Sequence, residues 1–360
     1  MTRARLLQNV MLPAMTATVL ALLLGFAFRS KNLTGQTGVG DPSQRVGQSR
    51  PVLQDLGTVP LRPADESVAL FIRVDSDIAN KKLDEAEAIL REYLGENPES
   101  AGALYRLGRI YFDRHDWASS IGYLKQSVKR EPRNDRAHLL IGLDYFQLKS
   151  LQNAERELLT AVQQNPRSDE NQYMAGRFFF EKFKRTEALA FFYQAVRLNP
   201  QNYKALHSVG LCLANLGNYT LAENYYKRAI AAAQKQNIRF EQVYLDLADL
   251  LTSIESARVP DGEAYARQAA ELDPQSSLAR YLLGKGLYRE GRLAEAMPQL
   301  IQALQLDPAD GLPHFLIGKI YQKMGRESDA EAEWKTFHRL MTLKTEPRQA
   351  VAPQGLAKVP

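Results

Sequence analysis

Bulky and small apolar residues recur in phase along this chain, and prolines mark the beat. Pro98, Pro132, Pro166 and Pro200 are each 34 residues apart, as are Pro274 and Pro308. With the proline set as position 32 of a unit, position 8 reads Gly108, Gly142, Gly176, Gly210, Gly284 and Gly318. Position 20 reads Ala86, Ser120, Ala154, Ala188, Ala222, Ala296 and Ala330, and position 27 reads Ser127, Ala161, Ala195, Ala229, Ala269 and Ala303. Small side chains are needed where two helices cross closely, because larger ones hold the backbones apart. Between them lie bulky positions. Position 11 carries Tyr111, Tyr145, Phe179, Leu213, Leu287 and Tyr321; position 24 carries Leu90, Leu124, Leu158, Phe192, Tyr226, Leu300 and Trp334.

The joints repeat as well. Two residues after each marker proline stands Ser100, Asn134, Ser168, Asn202, Ser276 or Asp310, each able to accept from the free amides of a starting helix. Proline cannot donate into a helix, and it pushes the preceding residue out of helical geometry. Each unit is therefore expected to run helix, short turn, helix, proline stop and cap. A unit of this size cannot bury its apolar face alone, so its neighbours must stack on it.

This pattern resembles the tetratricopeptide repeat family over roughly Asp65 to Lys344. The resemblance implies an all-α, right-handed superhelical solenoid of antiparallel helix pairs. About eight units are expected, near 67–100, 101–134, 135–168, 169–202, 203–240, 241–276, 277–310 and 311–344. The first is the weakest, with Val74 at position 8 and Ile78 at position 11. The period breaks between Pro200 and Pro274, which span two units plus six residues. Gln234 replaces the fifth proline, and Ala248 and Gly262 take positions 8 and 20 of unit six. A longer second helix is expected in unit five, a turn over Ala257 to Gly262, and a tolerated loop rather than a dedicated site. Ala330 to Met341 is expected to close the array, its polar side carrying Glu331, Glu333, Lys335 and Arg339.

Upstream the pattern changes. Arg3 and Arg5 precede an apolar run from Val10 to Phe28, about the length of a bilayer-spanning helix, ended by Arg29 and Lys31. Residues 1–31 are read as a signal anchor, giving a single-pass membrane protein with its repeats outside the cytoplasm (periplasmic in a bacterium). A cleaved signal, cut near Gly25 and Ala27 to release a secreted protein, is the alternative. Residues 32–64 read as a flexible linker and 345–360 as a disordered tail.

The net charge of +5 is mild for 360 residues and does not indicate nucleic acid. Cys212 is the single cysteine, so stability must come from packing; beside Gly210 it reads as a small buried apolar residue. Once repeats, linker and tail are assigned, no stretch remains for a catalytic domain. The five histidines, His115, His138, His207, His314 and His338, lack metal-ligand spacing, and no phosphate-binding loop is evident. No enzyme activity, metal or cofactor is expected.

What remains is a binding surface. The resemblance implies that first helices line the concave face, and positions 5, 9 and 12 share one stripe of such a helix. The stripe reads Tyr105, Arg109 and Phe112 in unit two, and Leu139, Leu143 and Phe146 in unit three. Unit four gives Tyr173, Arg177 and Phe180, unit seven Tyr281, Lys285 and Tyr288, and unit eight Phe315, Lys319 and Gln322. Aromatic and arginine side chains are the usual anchors of interfaces, so the expected partner is a peptide or protein with apolar and acidic residues. No unit carries the Lys and Asn with which some members of the family grip a partner's C-terminal carboxylate; unit five has His207 and Leu211 instead. The function expected is a scaffold or adaptor, with a chaperone-like carrier of unfolded or lipid-modified chains as the alternative.

Overall fold

A computed structural model describes residues 63–254 and 258–345. Among these residues there are sixteen helices and no strand. They pair in chain order: α1 (Pro63–Ala79) with α2 (Leu83–Glu96), α3 (Ala101–Asp113) with α4 (Trp117–Arg130), and α5 (Asp135–Gln147) with α6 (Leu151–Gln164). Next come α7 (Asp169–Glu181) with α8 (Arg185–Leu198), α9 (Tyr203–Asn215) with α10 (Tyr219–Lys235), and α11 (Glu241–Ile254) with α12 (Val259–Leu272). The array continues with α13 (Ser277–Arg289) and α14 (Leu293–Leu306), then α15 (Leu312–Lys323) and α16 (Glu327–Thr345). Each pair packs on itself and on the next, as an α-solenoid does. The apolar run Val10 to Phe28 and most of the linker and tail lie outside the described residues; residues 63 and 64, expected in the linker, and 345, expected in the tail, are helical and belong to α1 and α16. No helix among the described residues is long and apolar enough to cross a membrane.

The repeated small residues do what their register demands. A methyl group on Gly108 would lie 2.5 Å from Leu124, and one on Gly176 would lie 2.6 Å from the ring of Phe192. Position 8 is thus the seat for the bulky position 24 of the same pair. In unit six the small residues change places. Gly262 stands in the second helix, its missing methyl 3.1 Å from the carbonyl of Ala248. This corrects the expected turn: α12 already begins at Val259, Pro260 occupies its first turn, where a missing N–H costs nothing, and Gly262 is helical and buried. The longer helix expected in unit five is present as α10, with 17 residues against 14 in α8. Its extra turn buries Ala232 and Ala233. The last helix begins earlier than expected, at Glu327.

The side chains of Ser100, Asn134, Ser168, Asn202 and Ser276 each accept from the amide three residues on. Asp310 instead accepts from Leu312, two residues on, because Gly311 precedes the helix and Pro313 occupies its first turn. Replacing Ser168 by Ala removes the 3.1 Å bond to Asn171 and is expected to cost about 1 kcal/mol. Amide exchange in α7 should accelerate about fivefold.

A further periodicity joins the units. Position 21 is Glu in units one, three, five, six and eight, and in the first four of these the carboxylate meets a cation from the turn of the following unit. Glu87 meets Arg114, Glu155 meets Lys182 at 2.7 Å, Glu223 meets Arg258 at 2.7 Å and Glu263 meets Arg292 at 2.8 Å. Units two, four and seven carry Ile121, Leu189 and Met297 there, and the following turns supply Leu148, Leu216 and Met324. Met297 and Met324 line one apolar recess. The two ends of each joint therefore match in polarity.

Candidate functional site

The stripe of aromatic and basic residues is built three times, but the structure uses it in two ways. Arg109 lies 3.7 Å from Asp75, which also holds Arg106 at 2.6 Å. Lys285 lies 2.6 Å from Asp249 and 2.8 Å from the Ser253 hydroxyl. Asp75 and Asp249 occupy position 9 of the preceding unit, the same place on the neighbouring first helix. These cations thus bind neighbouring units together. Arg177 differs. Its position-9 neighbours are Leu143 on one side and Leu211 on the other. It is exposed, and among the described residues no carboxylate pairs with it.

The aromatic members divide in the same way. Tyr105 is half-buried against a cluster of Leu124, Ala137 and Ile141, and burial pushes its phenol up. Phe112 meets Trp117 edge to face at 5.6 Å, and Phe146 meets Phe178 at 5.7 Å. Burial pushes the Tyr281 phenol up to about 12, and the Nζ of Lys323 covers the ring of Tyr288 at 4.4 Å. Phe315 packs on Phe337 at 5.2 Å under Lys319, while Gln322 is exposed. Leu139 is buried in the core and Leu143 half-buried beside it.

Tyr173, Arg177 and Phe180 come together around open space. With Met174 and Glu181 they form one wall, on α7, of a cleft of about 400 Å³. The other wall is α9, through Lys204, His207, Ser208 and Leu211. Phe192 and Phe240 complete the lining. Tyr173 tilts against Phe192 at 5.9 Å. Burial raises its phenol, while the Arg177 charge and the Ser208 hydroxyl pull it back. Phe180 lies under the guanidinium of Arg185 at 3.9 Å.

Sequence reasoning missed half of this site. Phe240 comes from the extra residues between units five and six, which the register treats as a tolerated loop. It is held edge-on against Tyr203 at 5.0 Å and His207 at 5.1 Å. His207 is anchored from the far side, 2.6 Å from Asp246 on α11. The lost proline at Gln234 was the available signal, since a longer α10 must deliver the next segment to a new place. Of the charges lining the cleft, Arg177 and Lys204 outnumber Glu181. The apolar wall and basic rim suit an extended chain with acidic and apolar side chains. A cleft of this volume has room for one or two side chains of a partner. Among the described residues no His, Cys, Asp or Glu group is placed to hold a metal ion. Cys212 is buried and its thiol is pushed up to about 12, chiefly by burial.

Comparison with known proteins agrees with the geometry. Residues 77–141 and 173–237 each match a tetratricopeptide repeat model, and residues 284–325 match a TPR repeat model. No curated protein matches the sequence. Among solved structures, PilF of Pseudomonas aeruginosa is 18% identical, with a TM-score of 0.53 over 64% of this chain and 98% of that one. A tetratricopeptide repeat protein from Parabacteroides merdae is also 18% identical, with a TM-score of 0.52 over 67% and 93%. A chain of the APC/C hetero-tetramer Cut9-Hcn1 is 16% identical, with a TM-score of 0.52 over 76% and 52%. At these identities the likeness concerns the fold. Tetratricopeptide repeat proteins generally mediate contacts between proteins, and the fold is typically non-catalytic. Matched models, paired helices and glycine seats together make the described residues an all-α solenoid similar to those of tetratricopeptide repeat proteins.

Proposed function

We propose that the chain is a non-catalytic adaptor that holds a partner peptide in the cleft between α7 and α9. The observation that carries this reading is the state of Arg177. Where the stripe serves structure, as at Arg109 and Lys285, the preceding unit supplies an Asp at position 9. At Arg177 it supplies Leu143, which leaves the guanidinium beside aromatic rings and open space. An acidic side chain from outside can complete that pair, and apolar neighbours on the same peptide can cover Tyr173, Phe180 and Phe240. The apolar run Val10 to Phe28 supports a membrane tether that places the solenoid outside the cytoplasm; release by signal cleavage yields the same cleft in a secreted protein.

The test is selection of peptides from a random library on the full-length protein, followed by titration of the best binder. Enriched sequences should pair Asp or Glu with aromatic or aliphatic residues. Replacing Tyr173, Arg177 and Phe180 together by Ala should weaken binding roughly 30-fold or more with unchanged helical content. Equal affinity in the variant sinks the assignment. Retention of many unrelated unfolded chains, independent of Arg177, would indicate a carrier instead.

A further inference from the structure

In seven of the repeats the inner turn carries a residue with positive φ at position 15. Three of these are Gly217, Gly291 and Gly325, for which the left-handed region is unstrained. Lys81, His115 and Lys149 are polar residues in the same conformation. Phe183 is the exception in kind, an aromatic residue at φ 59° with 82% of its surface exposed. The Arg185 guanidinium lies over its ring at 5.0 Å. Left-handed backbone is costly for a bulky side chain, and this ring gains no burial in return. The fold itself would be better served by glycine at this position.

Phe183 does not stand alone. Residues 148–152, 182–186 and 216–221 cover the turns of three consecutive units. They contain Lys149, Lys182, Lys184 and Arg185, and neither Asp nor Glu. Large exposed apolar side chains concentrate in the same segments, with Leu148, Leu151, Leu216, Tyr219 and Leu221 beside Phe183. The joint to Glu155 engages Lys182, but among the described residues no carboxylate pairs with Lys149 or Lys184. Their ammonium groups lie over Phe146 and Phe179 instead. Because each unit stacks on the last, these turns follow one another along one edge of the solenoid. The edge combines protruding apolar tips with a surplus of cations.

We infer that this edge, from Leu148 to Leu221, docks on the surface of an anionic lipid bilayer, with Phe183 entering the headgroup region. The chemistry fits point by point. Aromatic and leucine tips insert shallowly at the water–hydrocarbon boundary, and lysines beside them meet anionic headgroups. A fluid surface needs no matching pocket, so protruding side chains on successive turns can enter it together. Docking is independent of what the cleft binds and does not require the N-terminal run to span a membrane. If that run does span, it holds the edge close to its target and raises the effective concentration.

The experiment uses the full-length protein with an environment-sensitive dye on Thr220→Cys, an exposed site between Tyr219 and Leu221; Cys212 is buried and takes no label. Vesicles contain phosphatidylcholine alone or mixed with phosphatidylglycerol, and brominated acyl chains serve as quenchers. In the anionic vesicles the dye should shift to the blue and be quenched, and high salt should reverse both changes. Phe183→Gly should weaken docking roughly tenfold while leaving resistance to urea unchanged or higher, because it relieves the backbone as it removes the tip. Lys149→Glu with Lys184→Glu should weaken docking by a similar factor. The inference fails if anionic vesicles produce no shift, or if the shift survives these substitutions. It also fails if the shift follows protein concentration without lipid, which would mark a contact between copies, or follows an added acidic peptide. Flotation with neutral vesicles reports insertion of the N-terminal run separately, so failure of the tether and failure of the edge are read apart.

Discussion

Gly210→Ala is expected to destabilise the array by about 2–3 kcal/mol, reversing the usual benefit of alanine in a helix. The new methyl would lie 2.6 Å from two ring carbons of Tyr226 and 3.2 Å from the Ala222 carbonyl. Tyr226 is 1% exposed and has nowhere to retreat, so α9 and α10 must separate. Gly122 is the control. It lies inside α4, a methyl added there would meet no atom within 4 Å, and Gly122→Ala should stabilise by about 0.5–1 kcal/mol. Amide exchange resolved by unit is the right measurement, because a solenoid need not unfold as one body. Protection should fall mainly in units four to six for Gly210→Ala. A neutral or stabilising outcome there would refute the close approach of α9 and α10.

The second large effect concerns pH. Asp144 is fully buried on α5, and neither carboxylate oxygen closes a hydrogen bond among the described residues. Burial pushes its carboxyl up from 3.8 to about 7, with the nearby Ser120 hydroxyl opposing part of the rise. A carboxyl raised by folding is held protonated in the native chain while the unfolded chain ionises. Its contribution is fully present below the unfolded value of 3.8, declines as pH rises, and is lost once pH passes about 7. At about 1.4 kcal/mol per pH unit, with relaxation of the interior reducing the sum, stability should fall by about 2–4 kcal/mol across this window. Carboxylates held low act elsewhere. Glu157, bonded to His138, and Glu223, bonded to Arg258, weaken the fold only in acid. Urea unfolding at about pH 5 and about pH 8 should therefore show the wild type weaker at the higher pH, and Asp144→Asn should remove most of the difference. Equal slopes for the two proteins would mean that Asp144 is solvated. Asp144→Leu should be the most stable of the three at the higher pH, because it satisfies the site with an apolar side chain.

Both features were partly visible in the sequence. Register alone marks Asp144, since the matching positions hold Ser76, Ile110, Phe178, Cys212, Leu250, Gly286 and Ile320, none of them charged. It also marks Ser120, the one hydroxyl among alanines at position 20. What register lacks is whether the side chain points into the joint or finds a partner there, and that depends on the packing of α4 against α5. The exchange of Ala248 and Gly262 was legible as a swap of two small residues, but its consequence, a glycine inside a helix rather than a turn, required the geometry of the α11–α12 crossing. At positions 5, 9 and 12 an aromatic pair brackets a cation alike in units two, four and seven. Stacking distinguishes them, because a position-9 side chain meets position 9 of the next helix, and only Arg177 meets leucine on both sides.

The sequence by itself determined the helices, their caps, the seats for position 24 and the stacking of units. Those properties depend on short-range sterics and on a period that any repeat must keep to bury its face. Tertiary structure alone decided which cations remain open, where Phe240 comes to rest, and which turn tips stay in water. Those outcomes depend on partners one full unit away, and the strength of a charge or an exposed ring is set by what the neighbouring unit brings to it.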